Sequence, residues 1–218
     1  MNFQVLWNWL GQKSPASNRE ILCMDGTTTG LKNGAYAEYV CVPEHWKNGV
    51  IKIKPEFLSH AEAAALPVGG MTALQLVRKA RVEKGDRCLI YGASGSVGTY
   101  TVQLAKYSGA EVTAVCSRSN VNLVTSIGAD AVRDYAKKDF LHSPTKFNPV
   151  IDAVGKLSKA DAARLLNADG KFISVKTLTD EKTEYLELLE KVVSDGKLKV
   201  IIDRRYLLKD ISKAHAYV

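Results

Sequence analysis

Three glycines, Gly92, Gly95 and Gly98, stand three residues apart in the stretch Leu89-Ile-Tyr-Gly-Ala-Ser-Gly-Ser-Val-Gly-Thr-Tyr-Thr101. The chemistry this spacing allows is phosphate binding. Glycines between a strand and a helix let the backbone turn sharply and approach a pyrophosphate, and the helix N-terminus then offers unpaired N–H groups and a positive dipole end. Gly-x-x-Gly-x-x-Gly alone occurs in loops of many kinds; an apolar run before it and a helical pattern from Thr99 to Tyr107 after it supply the context the motif requires.

A second set of residues bears on which dinucleotide would fit. The next apolar run ends in Cys116-Ser117-Arg118-Ser119-Asn120, without a carboxylate. An NAD site places an acidic residue there to accept from the ribose hydroxyls. Ser117 and Arg118 instead suit a 2′-phosphate, which a guanidinium binds bidentately, so the residues point to NADPH. No metal site is expected. His45, His60, His142 and His215 and the cysteines Cys23, Cys41, Cys88 and Cys116 show no ligand spacing.

The elements that must position these residues alternate from Leu89 onward. Strands are expected at Arg87–Tyr91, Glu111–Cys116, Ala131–Tyr135, Pro149–Val154 and Lys171–Val175. Helices are expected at Thr99–Ser108, Asn120–Ile127 and Ser158–Leu166. Short apolar strands separated by helices imply a parallel sheet with right-handed crossovers. Upstream, Gly34–Val42 alternates like a half-exposed strand and Val50–Ile53 reads as another. Ser59-His-Ala-Glu62 is a capping box whose helix Pro67 should cut, with a second helix from Met71 to Lys79. Downstream come an amphipathic helix at Glu181–Ser194, carrying Tyr185, Leu186, Leu188, Leu189 and Val192 largely on one side, a strand at Val200–Ile202 and a helix from Lys209.

Composition fits this α/β reading. The 218 residues carry 30 Lys+Arg against 23 Asp+Glu, a net charge of +7. The basic residues are dispersed rather than gathered in a stripe with aromatics, which argues against nucleic acid and for a basic surface that tolerates a phosphorylated ligand. No run is long enough to span a bilayer, and no secretory signal is seen. Scattered cysteines suit a reducing cytoplasm.

Motifs in order along the chain carry a resemblance. They are G-A-Y-A-E-Y-V at 34–40, A-A-A-L-P-V-G-G-M-T-A-L at 63–74, Y-G-A-S-G-S-V-G at 91–98, D-A-V-G at 152–155 and I-D-R-R-Y at 202–206. From about Thr28 to its end the chain resembles the medium-chain dehydrogenase/reductase superfamily, in its zinc-independent quinone oxidoreductase (zeta-crystallin-like) branch. The resemblance implies a Rossmann-type doubly wound parallel sheet with a partial GroES-like β-domain. It implies NADPH as hydride donor, with Gly92, Ala93, Ser94, Gly95, Ser96, Val97 and Gly98 along the pyrophosphate. Thr72 then lies near the nicotinamide half, Val154 and Gly155 pass close to the cofactor, and Tyr135 flanks the adenosine phosphate. The alternatives for the side chains are a helix-start hydroxyl for Thr72 and a strand-end aromatic for Tyr135.

By the same resemblance, residues 25–68 are the remnant of the GroES-like domain, 69–180 the NADPH-binding domain, and 181–218 a truncated return to the catalytic domain. Early strands that wall the substrate pocket and the strand after the closing helix are expected to be missing. So is a sixth sheet strand in the Thr177–Lys182 span, which in many relatives builds a dimer interface; a homodimer stays open. Residues 1–24 match no family segment. Back-translated with the frame moved one base, the start permits F-S-G-V-V-E-L-V-G, which is family-like, so a frameshift in the gene or its sequencing is one reading and an unusual native N-terminus the other. The expected activity is zinc-free, NADPH-dependent reduction of a quinone or α,β-unsaturated carbonyl. A catalytically impaired NADPH-binding module is the alternative, and a zinc-dependent alcohol dehydrogenase a more distant one. No proton donor is identified; Tyr36 and Tyr39 read as strand tyrosines.

Overall fold

A computed structural model describes residues 12–13, 20–25, 49–142, 144–177 and 182–217. The chain divides into two compact units. One comprises Met1–Met71, Asp180–Gly196 and Val200–Val218, the other Thr72–Thr179 with Lys197–Lys199. The expected strand at Gly34–Val42 lies outside the described residues. Residues 1–24, for which a frameshift is one reading, also lie outside them apart from Gln12–Lys13 and Glu20–Met24.

The second unit is built on a five-stranded parallel sheet. Its strands are β4 (Arg87–Tyr91), β5 (Glu111–Cys116), β6 (Ala131–Asp134), β7 (Val150–Asp152) and β8 (Phe172–Ser174), in the order β6-β5-β4-β7-β8. β4 and β5 match the expected bounds; the others are one to three residues shorter. Cys88, Leu89, Ile90, Val112, Ala114, Val115, Val150 and Ile151 are all fully buried. Such continuous apolar runs are what central parallel strands require, because both their faces are covered. Helix α2 (Ser96–Tyr107) buries Tyr100, Val102, Leu104 and Ala105. On another part of the core, Phe140, Phe147, Ala162 and Leu165 pack with Leu89, Val115 and Val150. Ala162 and Leu165 belong to α4 (Lys159–Leu165), whose N-cap Ser158 accepts from Asp161 N–H. The expected helix at Asn120–Ile127 forms as α3 (Val121–Ser126), one residue shorter at each end, and a 3₁₀ turn, Arg118–Asn120, leads into it.

In the first unit β1 (Gln12–Lys13), β2 (Glu20–Asp25) and β3 (Gly49–Ile53) form an antiparallel sheet. Lys52 on β3 pairs with Glu190 of α5 (Thr183–Ser194) at 2.6 Å. Glu190 thus enters the buried face of α5 with Tyr185, Leu186, Leu189 and Val192, and Leu188 is only half-buried. A last helix, α6, spans Ile211–Tyr217.

Two expectations fail. Pro67 does not cut its helix: α1 runs unbroken from His60 to Ala80. A proline removes one N–H bond, and packing outweighs that loss here. Leu66, Pro67, Gly70 and Met71 are buried, and an added Cβ on Gly70 would stand 3.0 Å from Leu189. The capping box forms as expected, with Glu62 accepting from Ser59 N–H at 2.9 Å. Bonds from the Ser59 side chain and backbone hold the Glu62 carboxyl below its usual range. The second failure is Val200–Ile202, which is not a strand. Just before it, Lys199 spends its backbone groups on a side chain, its N–H donating to Gln103 Oε1 at 2.6 Å and its carbonyl accepting from Gln103 Nε2 at 3.0 Å.

Candidate functional site

The order β6-β5-β4-β7-β8 reverses direction between β4 and β7. In open parallel sheets the crevice at the carboxyl ends of such strands is where ligands bind. The glycine loop leaves β4 there, and Ala153–Gly155 leaves β7.

Gly92 and Ala93 N–H both donate to Val115 O, at 2.9 and 3.0 Å, fastening the loop to the end of β5. Gly92 has φ +78°, and a Cβ there would meet Val154 Cγ1 at 2.6 Å. At Gly98 a Cβ would lie 2.1 Å from Gly92 O, so the helix start and the loop touch backbone to backbone. Gly95 differs: its Cβ would find the nearest of these atoms at 3.5 Å, an ordinary contact. Protein packing does not demand a glycine at 95. Helix α2 begins at Ser96, three residues earlier than the sequence suggested, so its N-terminus falls inside the glycine loop. Gly95 caps it without a side-chain bond, and the first turn holds no acidic residue. The N–H groups and dipole at this end therefore meet no negative charge from the chain's own cap.

The loop after β7 is organised by Asp152, which is 1% exposed. Its Oδ1 accepts from the N–H groups of Val154, Gly155 and Lys156 at 3.2, 2.8 and 3.3 Å. Its Oδ2 accepts from Leu157 N–H and Ser174 Oγ, both at 3.2 Å. Val154 is left exposed, with its methyls against Gly92.

Beyond the end of β5 lies a cleft of about 590 Å³ lined by Arg118, Val121, Val132, Arg133, Asp134, Lys137, Phe140, His142 and Pro144. Two guanidiniums and an ammonium face one carboxylate, so the cleft favours an anion. Arg133 is braced by Phe140 O at 3.3 Å and the Phe147 ring at 5.3 Å. Burial, and then the neighbouring Asp134, push the Cys116 thiol up. Asn120 Nδ2 donates to Ser94 Oγ and Ser117 Oγ, both at 3.0 Å, joining the glycine loop to the β5 end.

The structure thus brings together Gly92, Ala93, Ser94, Gly95, Ser96, Val97, Gly98, Ser117, Arg118, Val154 and Gly155 around the carboxyl ends of β4, β5 and β7. Tyr135 sits just past β6, half-exposed, its N–H on Cys116 O at 3.2 Å. Thr72 lies buried in mid-α1, which removes the helix-start reading of its hydroxyl. Sequence reasoning missed Asp152 as the loop's organiser, Asn120, and the cationic trio's third and second members, Lys137 and Arg133. The one signal for them in the sequence is the adjacent pair Lys137-Lys138, which by itself reads as part of the dispersed basic surface. Among the described residues no group of three or more His, Cys, Asp or Glu could hold a metal ion. None of the described helices is long and apolar enough to cross a membrane.

A family model described as zinc-binding dehydrogenase matches residues 96–204. The chain is 36% identical over 184 residues to a 2-methylene-furan-3-one reductase of Solanum lycopersicum, covering 78% of this chain and 45% of that protein. It is 29% identical over 181 residues to the chloroplastic NADPH-dependent alkenal/one oxidoreductase of Arabidopsis thaliana, again covering 78% and 45%. The solved structure of the quinone oxidoreductase from Coxiella burnetii superposes with a TM-score of 0.80 at 29% identity, covering 92% of this chain and 68% of that one. The chain spans about half the length of the two curated relatives.

Proposed function

Because the chain belongs to the zinc-binding dehydrogenase family, in its quinone oxidoreductase branch, we propose that it is an NADPH-dependent oxidoreductase delivering hydride to a quinone or α,β-unsaturated carbonyl without a protein-held zinc. The observation that carries this is Gly95: an added Cβ there would make only an ordinary contact, so the chain's own packing asks for no glycine, and it stands at a helix N-terminus whose cap makes no side-chain bond. The residues fit the cofactor. The first turn of α2 would hold the pyrophosphate, Arg118 a 2′-phosphate, and the Val154–Gly155 backbone, pinned by Asp152, the middle of the molecule. When bound, NADPH supplies the hydride; the protein binds, orients and keeps competing water away. The substrate class follows from the relatives, a 2-methylene-furan-3-one reductase and an alkenal/one oxidoreductase. The zinc-free reading rests on the donor set, since the histidines and cysteines lack ligand spacing. A reducing compartment, the cytoplasm, agrees with Cys88 and Cys116, both buried and free.

NADPH fluorescence titration of the purified chain, followed by NADPH oxidation with a small quinone and metal analysis, tests the proposal. Saturable binding and turnover in metal-free protein are expected. Binding without turnover would assign a nucleotide-binding module instead, and no binding would end the cofactor reading. Arg118→Ala should cut the preference for NADPH over NADH by about ten- to a hundredfold, the worth of a charge-assisted bond at a solvent-facing site. An unchanged ratio would remove Arg118 from the site.

A further inference from the structure

We infer that Asn120 is the positioning residue that sets which nucleotide the site prefers, by holding Ser94 and the Ser117–Ser119 pair as hydroxyl donors to a phosphorylated ribose; this rests on the NADPH reading above. Asn120 closes the 3₁₀ turn Arg118–Asn120 and is half-buried where the glycine loop meets the end of β5. Its Nδ2 donates one proton to Ser94 Oγ and one to Ser117 Oγ, both at 3.0 Å. Ser117 Oγ and Ser119 Oγ share a further bond of 3.0 Å. Ser94 comes from the loop after β4 and Ser117 from the end of β5. One amide therefore ties the pyrophosphate loop to the ribose loop, adding to the Gly92 and Ala93 bonds on Val115 O.

The direction of these bonds decides what the hydroxyls offer. A hydroxyl that accepts through its oxygen keeps its own proton for another acceptor. Among the described residues Ser94 O–H meets no acceptor, and of the two protons on Ser117 and Ser119 only one is spent between them. Two O–H donors thus remain, one on Ser94 and one on Ser117 or Ser119, which flank Arg118 in the chain. A phosphate, which only accepts, is matched by that set. The deprotonated carboxylate that an aspartate would place at 120 reverses it. It would accept both serine protons, add a negative charge, and favour a ribose diol, which donates.

Calorimetric titration of 2′,5′-ADP and 5′-ADP into the full chain tests this without requiring turnover. Wild type should prefer 2′,5′-ADP. Asn120→Ala should raise the Kd for 2′,5′-ADP about tenfold while that for 5′-ADP moves less than about threefold, the range of one or two hydrogen bonds. Asn120→Asp, of the same shape, should carry the preference over to 5′-ADP. Ser94→Ala should add little in the Asn120→Ala background, since the two act as a unit. A merely structural role would weaken both nucleotides alike, and that result, with melting curves recorded for each variant, would overturn the inference. So would variants that keep the wild-type ratio while wild type prefers 2′,5′-ADP; the cofactor reading would then stand. A wild-type chain that binds neither nucleotide, or shows no preference, overturns the NADPH reading and this inference together.

Discussion

Gly95 and Gly98 look alike in the sequence and do different work. An added Cβ at Gly98 would lie 2.1 Å from Gly92 O, a distance that forces backbone to move. At Gly95 the nearest of those atoms is 3.5 Å away and φ is −78°, which any residue adopts. Gly98→Ala should therefore lose stability, by about 1–3 kcal/mol for an overpacked site, and lose NADPH binding with it. Gly95→Ala should melt within about 0.5 kcal/mol of wild type yet bind NADPH at least about tenfold more weakly, because its methyl occupies ligand space. Urea unfolding and NADPH titration of both variants separate the cases. A Gly95→Ala protein with full NADPH affinity would show that the space over this residue is not where the phosphates lie. The spacing of the glycines was legible in the sequence. The difference between them was not, because it depends on which atoms fold back over each.

Elements position these residues through bonds that no motif announces. The short strand β7 ends in Asp152, whose carboxylate gathers four backbone N–H groups and one serine hydroxyl. Asp152→Ala should leave those donors unpaired beside a buried site. A cost of about 3 kcal/mol is expected by urea unfolding, several times that of an ordinary surface change. Loss of less than about 1 kcal/mol would mean that water replaces the carboxylate. The helix through Pro67 makes the complementary point. Local propensity argued for a break, and burial of Leu66, Pro67, Gly70 and Met71 overrode it. The 3₁₀ turn Arg118–Asn120 is likewise a tertiary outcome. It places Asn120 between Ser94 and Ser117, which a regular helix starting at Asn120 did not suggest.

For the whole molecule, the proposed ligand contacts draw on residues from Thr72 to Gly155, so nucleotide binding should stabilise the folded chain by mass action. NADPH at a hundredfold excess over its Kd adds about 2.7 kcal/mol. For a chain of this size that is about 5–10 °C in Tm, measurable by differential scanning fluorimetry. An unchanged Tm at saturating NADPH would contradict the cofactor reading. By itself the sequence determined the parallel α/β class, the strands β4 and β5 to the residue, the capping box, the glycine loop and the absence of a carboxylate after β5. These follow from short-range rules: periodicity, propensity, and residue types a few positions apart. Only the tertiary structure decided that α1 passes through Pro67, that Val200–Ile202 is not a strand, and that Arg118, Arg133 and Lys137 share one cleft with Asp134. It alone revealed Asn120 bridging two loops. The glycine loop and the β5 end lie more than twenty residues apart in the chain, and their hydrogen bonds exist only once parallel strands β4 and β5 stand side by side.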